Sequence, residues 1–231
     1  MERIIAGVHE FRRKHFQEQR EFFEQIAKYK QQPMALFITC SDSRINPNLI
    51  TQTEPGELFI VRNAGNIVPA YSSTASSEAG TIEFALAVLG IRNIIICGHA
   101  GCGAIEGLLH EEKLDGLPAV KEWFKHAEAT RRIARAKYRD LDGLALATAA
   151  GEENVLVQLN NLSTHPTVAA LLSAGELRVY GWYYDIGAGR ILQYDQSSGH
   201  FVDLGVEAQS AAPSPIRSAV RTDVMSLVRA S

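Results

Sequence analysis

The sequence predicts an α/β fold, a mostly parallel central sheet flanked by helices, preceded by N-terminal helices. Three short runs, Met34–Thr39, Glu57–Arg62 and Asn93–Cys97, have the length and apolar character of buried parallel strands. Helical periodicity between the second and third of them supplies the strand–helix–strand alternation that a parallel sheet needs. The first and third runs also feed directly into turns that carry cysteine and histidine.

Residues 1 to 32 are charged and helical in pattern, with Phe11, Phe16, Phe22, Phe23, Ile26 and Tyr29 set among Arg, Lys, Glu and Gln. A segment of this kind cannot bury its aromatic rings alone, so it is expected to dock on the main domain or on a second copy of the chain. The first strand follows Pro33 and ends at a polar turn. From Ser76 to Leu89 the residues Ala79, Ile82, Ala85, Leu86 and Leu89 mark one helical face, stopped by Gly90. The third strand runs into a glycine-rich turn. Further helices are predicted over Lys121–Lys137, Gly151–Leu162 and Thr167–Ala174, then a strand over Leu177–Ile186, a Gly-Ala-Gly turn and a strand over Ile191–Tyr194. The organisation read from this is an arm over 1–32, a main domain over 33–207 and a mobile Ser-, Ala- and Pro-rich tail over 208–231, with a loose helix conceivable in 216–228.

Composition narrows the function classes. With 46% hydrophobic residues in 231, the chain can bury one sizeable core. A net charge of -3 gives no electrostatic reason to expect nucleic acid or an anionic membrane as partner. No apolar stretch approaches the roughly 20 residues that span a bilayer, and the first residues lack a signal-peptide core, so a soluble cytoplasmic protein is expected. Three cysteines in a chain of this length are not a disulfide framework.

Two of those cysteines carry the chemistry. Cys40 opens the turn Cys40-Ser41-Asp42-Ser43-Arg44, and Gly98-His99-Ala100-Gly101-Cys102-Gly103 forms the other turn. Two thiolates and one neutral imidazole suit Zn²⁺, and three protein ligands leave its fourth position open, as in a catalytic site. Turns at the carboxyl ends of parallel strands converge on one crevice, which places both ligand turns on the same sheet edge. Asp42 and Arg44, two residues apart, project to the same side of an extended turn, where an ion pair would keep the carboxyl ionised as a hydrogen-bond acceptor. Cys97 reads as a small buried hydrophobe. His110, His126, His165 and His200 read as surface residues, and the glycine-rich turn lacks the Lys and Ser/Thr of a phosphate loop.

These residues resemble the β-class carbonic anhydrases. Cys40-x-Asp42-x-Arg44 and His99-x-x-Cys102 carry the likeness, which continues through Glu54–Phe59, Arg62-Asn63-Ala64-Gly65-Asn66 and Gly181–Asp185. Asn46–Ile50 and Ala129–Arg132 are most similar to the cyanobacterial and plant-type branch. The resemblance implies zinc on Cys40, His99 and Cys102, an orienting Asp42–Arg44 dyad, and reversible hydration of CO₂ to bicarbonate and a proton by a zinc-bound hydroxide. It implies Gln31, Phe59, Phe84 and Gly103 as pocket residues, with the N-terminal helices packing on a partner subunit and Gln31 reaching that partner's site, and so a homodimer or larger homo-oligomer. Phe84 stands where that branch usually has tyrosine. Phe37 replaces the Trp of the bicarbonate-inhibited bacterial branch, which implies weak bicarbonate inhibition. Carbonyl sulfide or carbon disulfide hydrolysis by the same zinc site is the rival activity, and a thiol redox pair or a site permanently closed by Asp42 are the non-hydratase alternatives.

Overall fold

The computed structural model describes residues 1–74 and 76–205; the tail expected over 208–231, with its loose helix, lies outside them. The amino-terminal arm is helical: α1 (Glu2–Glu10), a π-helical turn (Phe11–His15), α2 (Phe16–Glu18) and α3 (Arg20–Lys28). None of its residues is buried. The aromatic rings instead face one another, Phe23 lying 5.5 Å from both Phe11 and Phe16.

Beyond the arm the chain runs through β1 (Ala35–Cys40), α4 (Pro47–Thr51), β2 (Leu58–Asn63), α5 (Ser77–Glu83), which passes into a π turn at Phe84–Val88, and β3 (Asn93–His99). Then come α6 (Gly103–Leu109), α7 (Pro118–Phe124), α8 (Glu128–Lys137), α9 (Gly143–Ser163), α10 (Pro166–Ser173), β4 (Arg178–Asp185), β5 (Arg190–Asp195) and β6 (His200–Asp203). The six strands form one sheet in the order β2-β1-β3-β4-β5-β6, parallel from β2 to β4 and antiparallel across β5 and β6.

Why β1 carries an unbroken apolar run is visible in its two faces. Leu36 and Ile38 enter the main core with Ile94, Ile96, Val155 and Val179. Ala35 and Phe37 enter a second cluster on the opposite face with Ile95 and Cys97. A strand covered on both sides has no reason to alternate with polar residues.

Several boundaries differ from the sequence reading, each for a local reason. The predicted helix Lys121–Lys137 is two helices, α7 and α8, joined by a 3₁₀ turn at Lys125–Ala127, and it begins at Pro118, a residue favoured in a first turn. The predicted Gly151–Leu162 helix begins eight residues earlier, at Gly143, in a run whose two leucines among small residues mark no amphipathic period. Helices α4 and α6 and strand β6 went unpredicted. The first two are short, five and seven residues, α4 being started by Asn46, whose side chain accepts the Leu49 amide at 3.3 Å. Strand β6 is only four residues long and pairs with one neighbour.

The long helix α9 lies close against the sheet, and glycines permit it. A Cβ on Gly98 would stand 2.8 Å from Val155, one on Gly181 2.9 Å from Leu159, and one on Gly151 2.9 Å from the Tyr183 ring.

Candidate metal centre

The strand order reverses at β1. From it the chain passes to β2 on one side and later to β3 on the other, and a crevice opens at such a switch point beyond the strands' carboxyl ends. Both ligand turns begin there. Cys40 is the last residue of β1 and His99 the last of β3, so each stands on its strand rather than one or two residues past it, as the sequence had placed them. The ladder pairs Thr39 with Cys97 and the Thr39 hydroxyl donates to the Cys97 carbonyl at 2.8 Å, locking the two strands beside each other just before the ligands. Cys102 is the N-cap of α6.

The ligand atoms of Cys40, His99 and Cys102 all lie within 4.8 Å of one another, and all three residues are buried. The two sulfurs are 3.8 Å apart, far beyond the roughly 2.05 Å of a disulfide, and all three cysteines of the chain are free. His99 Nδ1 lies 3.0 Å from the Ala100 carbonyl oxygen, which can only accept, so the proton sits on Nδ1. That leaves Nε2 buried and without a hydrogen-bond partner. An imidazole held through Nδ1 with its other nitrogen beside two sulfurs has the arrangement of a metal ligand.

The paired cysteines polarise one another. Cys40 is lowered to about 4, chiefly by the hydrogen bond from Cys102, while Cys102 is pushed up by the same contact and by burial. The Gly65 amide also donates to Cys40 Sγ at 3.4 Å.

Asp42 and Arg44 form the pair that their spacing predicts. Arg44 Nε donates to Asp42 Oδ1 at 2.9 Å, Nη2 to Oδ2 at 2.7 Å, and the Arg44 amide to Oδ1 at 3.0 Å. These bonds hold the Asp42 carboxyl well below the usual carboxylate range. Arg44 Nη2 also reaches the Gly101 carbonyl at 2.9 Å and so ties the first ligand turn to the second. Asp42 Oδ2 stands 3.9 Å from His99 Nε2, facing the same point as the ligands. Arg62 completes the frame by donating to the Cys40 carbonyl at 3.1 Å and the Asp42 carbonyl at 2.7 Å.

Gly103 adjoins Cys102 with open space where a Cβ would point. The other pocket candidates are not gathered here. Gln31 is exposed, and Phe59 and Phe84 face each other at 6.2 Å on a different stretch of the molecule. Phe59 precedes Asn63, the ladder partner of Cys40, by four residues, about 13 Å along the strand. Phe37 is fully buried and edge-on to Trp182. Cys97 is the inert core thiol expected, pushed up to about 12 by burial. His165, read from sequence as a surface residue, is buried with Nε2 at 3.0 Å from the Pro69 carbonyl. The sequence reading missed the Gly65 amide, the Gly101 carbonyl and the bracing by Arg62, because backbone groups carry no residue-type signal.

A family model described as carbonic anhydrase matches residues 35–191. The chain is 47% identical over 203 residues to the carbonic anhydrase of Synechocystis sp., covering 87% of this chain and 74% of that one. Among solved structures, the β-carbonic anhydrase CcaA superposes with a TM-score of 0.85 at 46% identity, over 88% of this chain and 98% of that one. One of two tetrameric β-carbonic anhydrases from Sordaria macrospora gives 0.75 at 27% identity, over 83% and 95%. Because the likeness runs from β1 through β4 and is not confined to the Cys-His-Cys cluster, the chain belongs to the β-class carbonic anhydrases, enzymes of reversible CO₂ hydration.

Proposed function

We propose that the chain is a zinc-dependent carbonic anhydrase in which Cys40, His99 and Cys102 hold the metal and Asp42 with Arg44 orients the attacking water. The observation that carries this is the 3.8 Å separation of the two sulfurs beside a partnerless His99 Nε2. Zinc–sulfur bonds of about 2.3 Å at the tetrahedral angle put two sulfurs about 3.8 Å apart. Bound there, zinc would lower the pKa of a water from about 16 towards 7 and so supply a nucleophile near neutral pH.

The chain's own groups do the rest. Asp42, kept ionised by Arg44, offers Oδ2 as an acceptor that would orient a water held at the centre towards the carbon of CO₂. Arg44 prevents the carboxylate from swinging inward, because moving it would break three hydrogen bonds. At 3.9 Å from His99 Nε2, Asp42 Oδ2 lies outside the roughly 3.3 Å edge of a zinc tetrahedron made with nitrogen and oxygen. This supports a site that is open to substrate.

The working unit is a homo-oligomer. An arm without a single buried residue, and Gln31, Phe59 and Phe84 lying away from their own cluster, fit an arrangement in which these three residues line a neighbouring subunit's pocket. Elemental analysis joined to stopped-flow CO₂ hydration tests the reading. One zinc per chain is expected, with activity abolished by chelation and restored by zinc alone. Full hydration by metal-free protein would sink it.

A further inference from the structure

The helix α9 buries an amide stripe that the CO₂ chemistry does not use directly. Asn154, Gln158 and Asn161, spaced at i, i+4 and i+7, share one helical face, and the first two are wholly buried. All three are bonded to the loop that follows β2. Asn154 Nδ2 donates to the Gly65 carbonyl at 2.9 Å, Gln158 Oε1 accepts the Val68 amide at 2.9 Å, and Asn161 Nδ2 donates to the Val68 carbonyl at 2.9 Å.

The direction of every bond in this stripe is fixed. The Val68 amide can only donate, so Gln158 must turn its oxygen to it and its Nε2 towards Asn154, where Oδ1 accepts at 2.9 Å. Thr130 donates to that same Oδ1 at 2.9 Å. With its oxygen taken twice, Asn154 has only its NH₂ to offer Gly65. Burying amides costs free energy unless all their bonds are made, and here the network is made in one orientation only.

Gly65 is the link to the metal centre. It holds φ +87 and a Cβ would stand 3.2 Å from Ala104, so glycine is required there. Two peptide planes meet at Gly65: its carbonyl is held by Asn154, and its amide, in the peptide whose Ala64 carbonyl accepts from Trp123 Nε1 at 2.8 Å, points at Cys40 Sγ. An N–H donated to a thiolate withdraws charge from the sulfur and weakens its donation to a metal.

We propose that Asn154 is a positioning residue that, through Gly65, sets the charge on the Cys40 sulfur and thereby the strength of its metal bond. This rests on the metal-site reading above. Cobalt(II) in place of zinc gives a readout independent of turnover, since thiolate-to-cobalt charge transfer reports the charge on sulfur. The variants are Asn154→Asp, which keeps the acceptor but loses the donor, and Thr130→Val, which keeps the shape but removes one of the two donors that fix the Asn154 oxygen. Asn161→Ser, a change on the same stripe next to Val68, serves as a control. In Asn154→Asp the charge-transfer band should move to longer wavelength and cobalt affinity should change by about 10-fold to 100-fold. Thr130→Val should show the same shift in smaller measure, and it decides the matter alone if Asn154→Asp does not fold. Asn161→Ser should leave the band in place. An unmoved band and affinity in the variants that fold, or a band moved equally by Asn161→Ser, would overturn the proposal. Absence of any thiolate band in the wild-type cobalt protein would instead overturn the metal site itself, and the proposal with it.

Discussion

Arg44 carries more of the candidate site than its exposed position suggests, since one guanidinium fixes the Asp42 carboxylate and also bridges to Gly101 on the opposite turn. Replacing it frees both. Arg44→Ala is expected to lower kcat for CO₂ hydration about 100-fold, the lower range for loss of a positioned proton-handling group, measured by stopped flow; an unchanged kcat would remove the dyad from the mechanism. The sign of the pH dependence follows from the same contact. A carboxyl depressed by its partner stays ionised as pH falls through the ordinary value near 3.9, and what the pair adds to stability is lost only below that, as the folded-state value is crossed. Asp42 therefore contributes no limb to a rate profile between about pH 6.5 and 9, where activity should rise with the ionisation of the metal-bound water. The thiols give a second prediction. In zinc-loaded protein no cysteine should react quickly with a thiol reagent. After chelation Cys40, lowered to about 4, should react first, while Cys97, fully buried and pushed up to about 12, should stay inert in both states. Rapid labelling of Cys40 in the zinc-loaded protein would show that its sulfur is not a ligand.

At the scale of elements, two helical glycines should answer to the same substitution with opposite signs. Gly151 faces the buried Tyr183 ring, and an added Cβ would lie 2.9 Å from Cε2 and 3.1 Å from the hydroxyl. Alanine gains about 1 kcal/mol in helix propensity over glycine, but overpacking costs about 1–3 kcal/mol, so Gly151→Ala should destabilise the fold. Gly80, in α5, has nothing within 4 Å of its Cβ position, so Gly80→Ala should stabilise by about 0.5–1 kcal/mol. Urea unfolding of the two variants reads both signs, and a shift in the same direction would mean that α9 is not held as closely to β3 and β4 as the described contacts require. Element identity was legible wherever a run was long and bounded: Ser76, placed at the start of a helix from sequence, is the N-cap of α5 and accepts the Ala79 amide at 3.1 Å. It was not legible for Gly143–Ala150, where small apolar residues on every side of α9 erase the period that marks a helix.

For the molecule as a whole, we propose that the arm decides the assembly. Ile4, Ile5 and Val8 on α1 are 63%, 51% and 61% exposed, an apolar surface that a lone chain leaves in water. We expect the protein to sediment as a dimer or larger, and the double variant Ile5→Asp/Val8→Asp to shift it towards monomer, read by sedimentation velocity. If the pocket of each site is completed by the neighbour's Gln31, Phe59 and Phe84, hydration should fall together with the association. A fully active monomer would confine the site to one chain. Among the described residues no helix is long and apolar enough to cross a membrane.

The sequence by itself determined the Cys40, His99 and Cys102 cluster, the Asp42–Arg44 pair and the parallel part of the sheet. Those features depend on residue types that few other contexts favour: thiols in polar turns, an acid and a base two apart, and strands apolar on both faces. Only the tertiary structure decided that Cys40 and His99 end adjacent strands at the point where the strand order reverses, which brings residues 59 positions apart within reach of one ion. It also decided which backbone groups serve the centre. Gly65 reaches Cys40 and is held by Asn154 from 89 residues away, and Gly101 receives Arg44 from 57 residues away. A peptide N–H or carbonyl is the same at every position of a chain, so its role comes into being only when folding sets it against a partner.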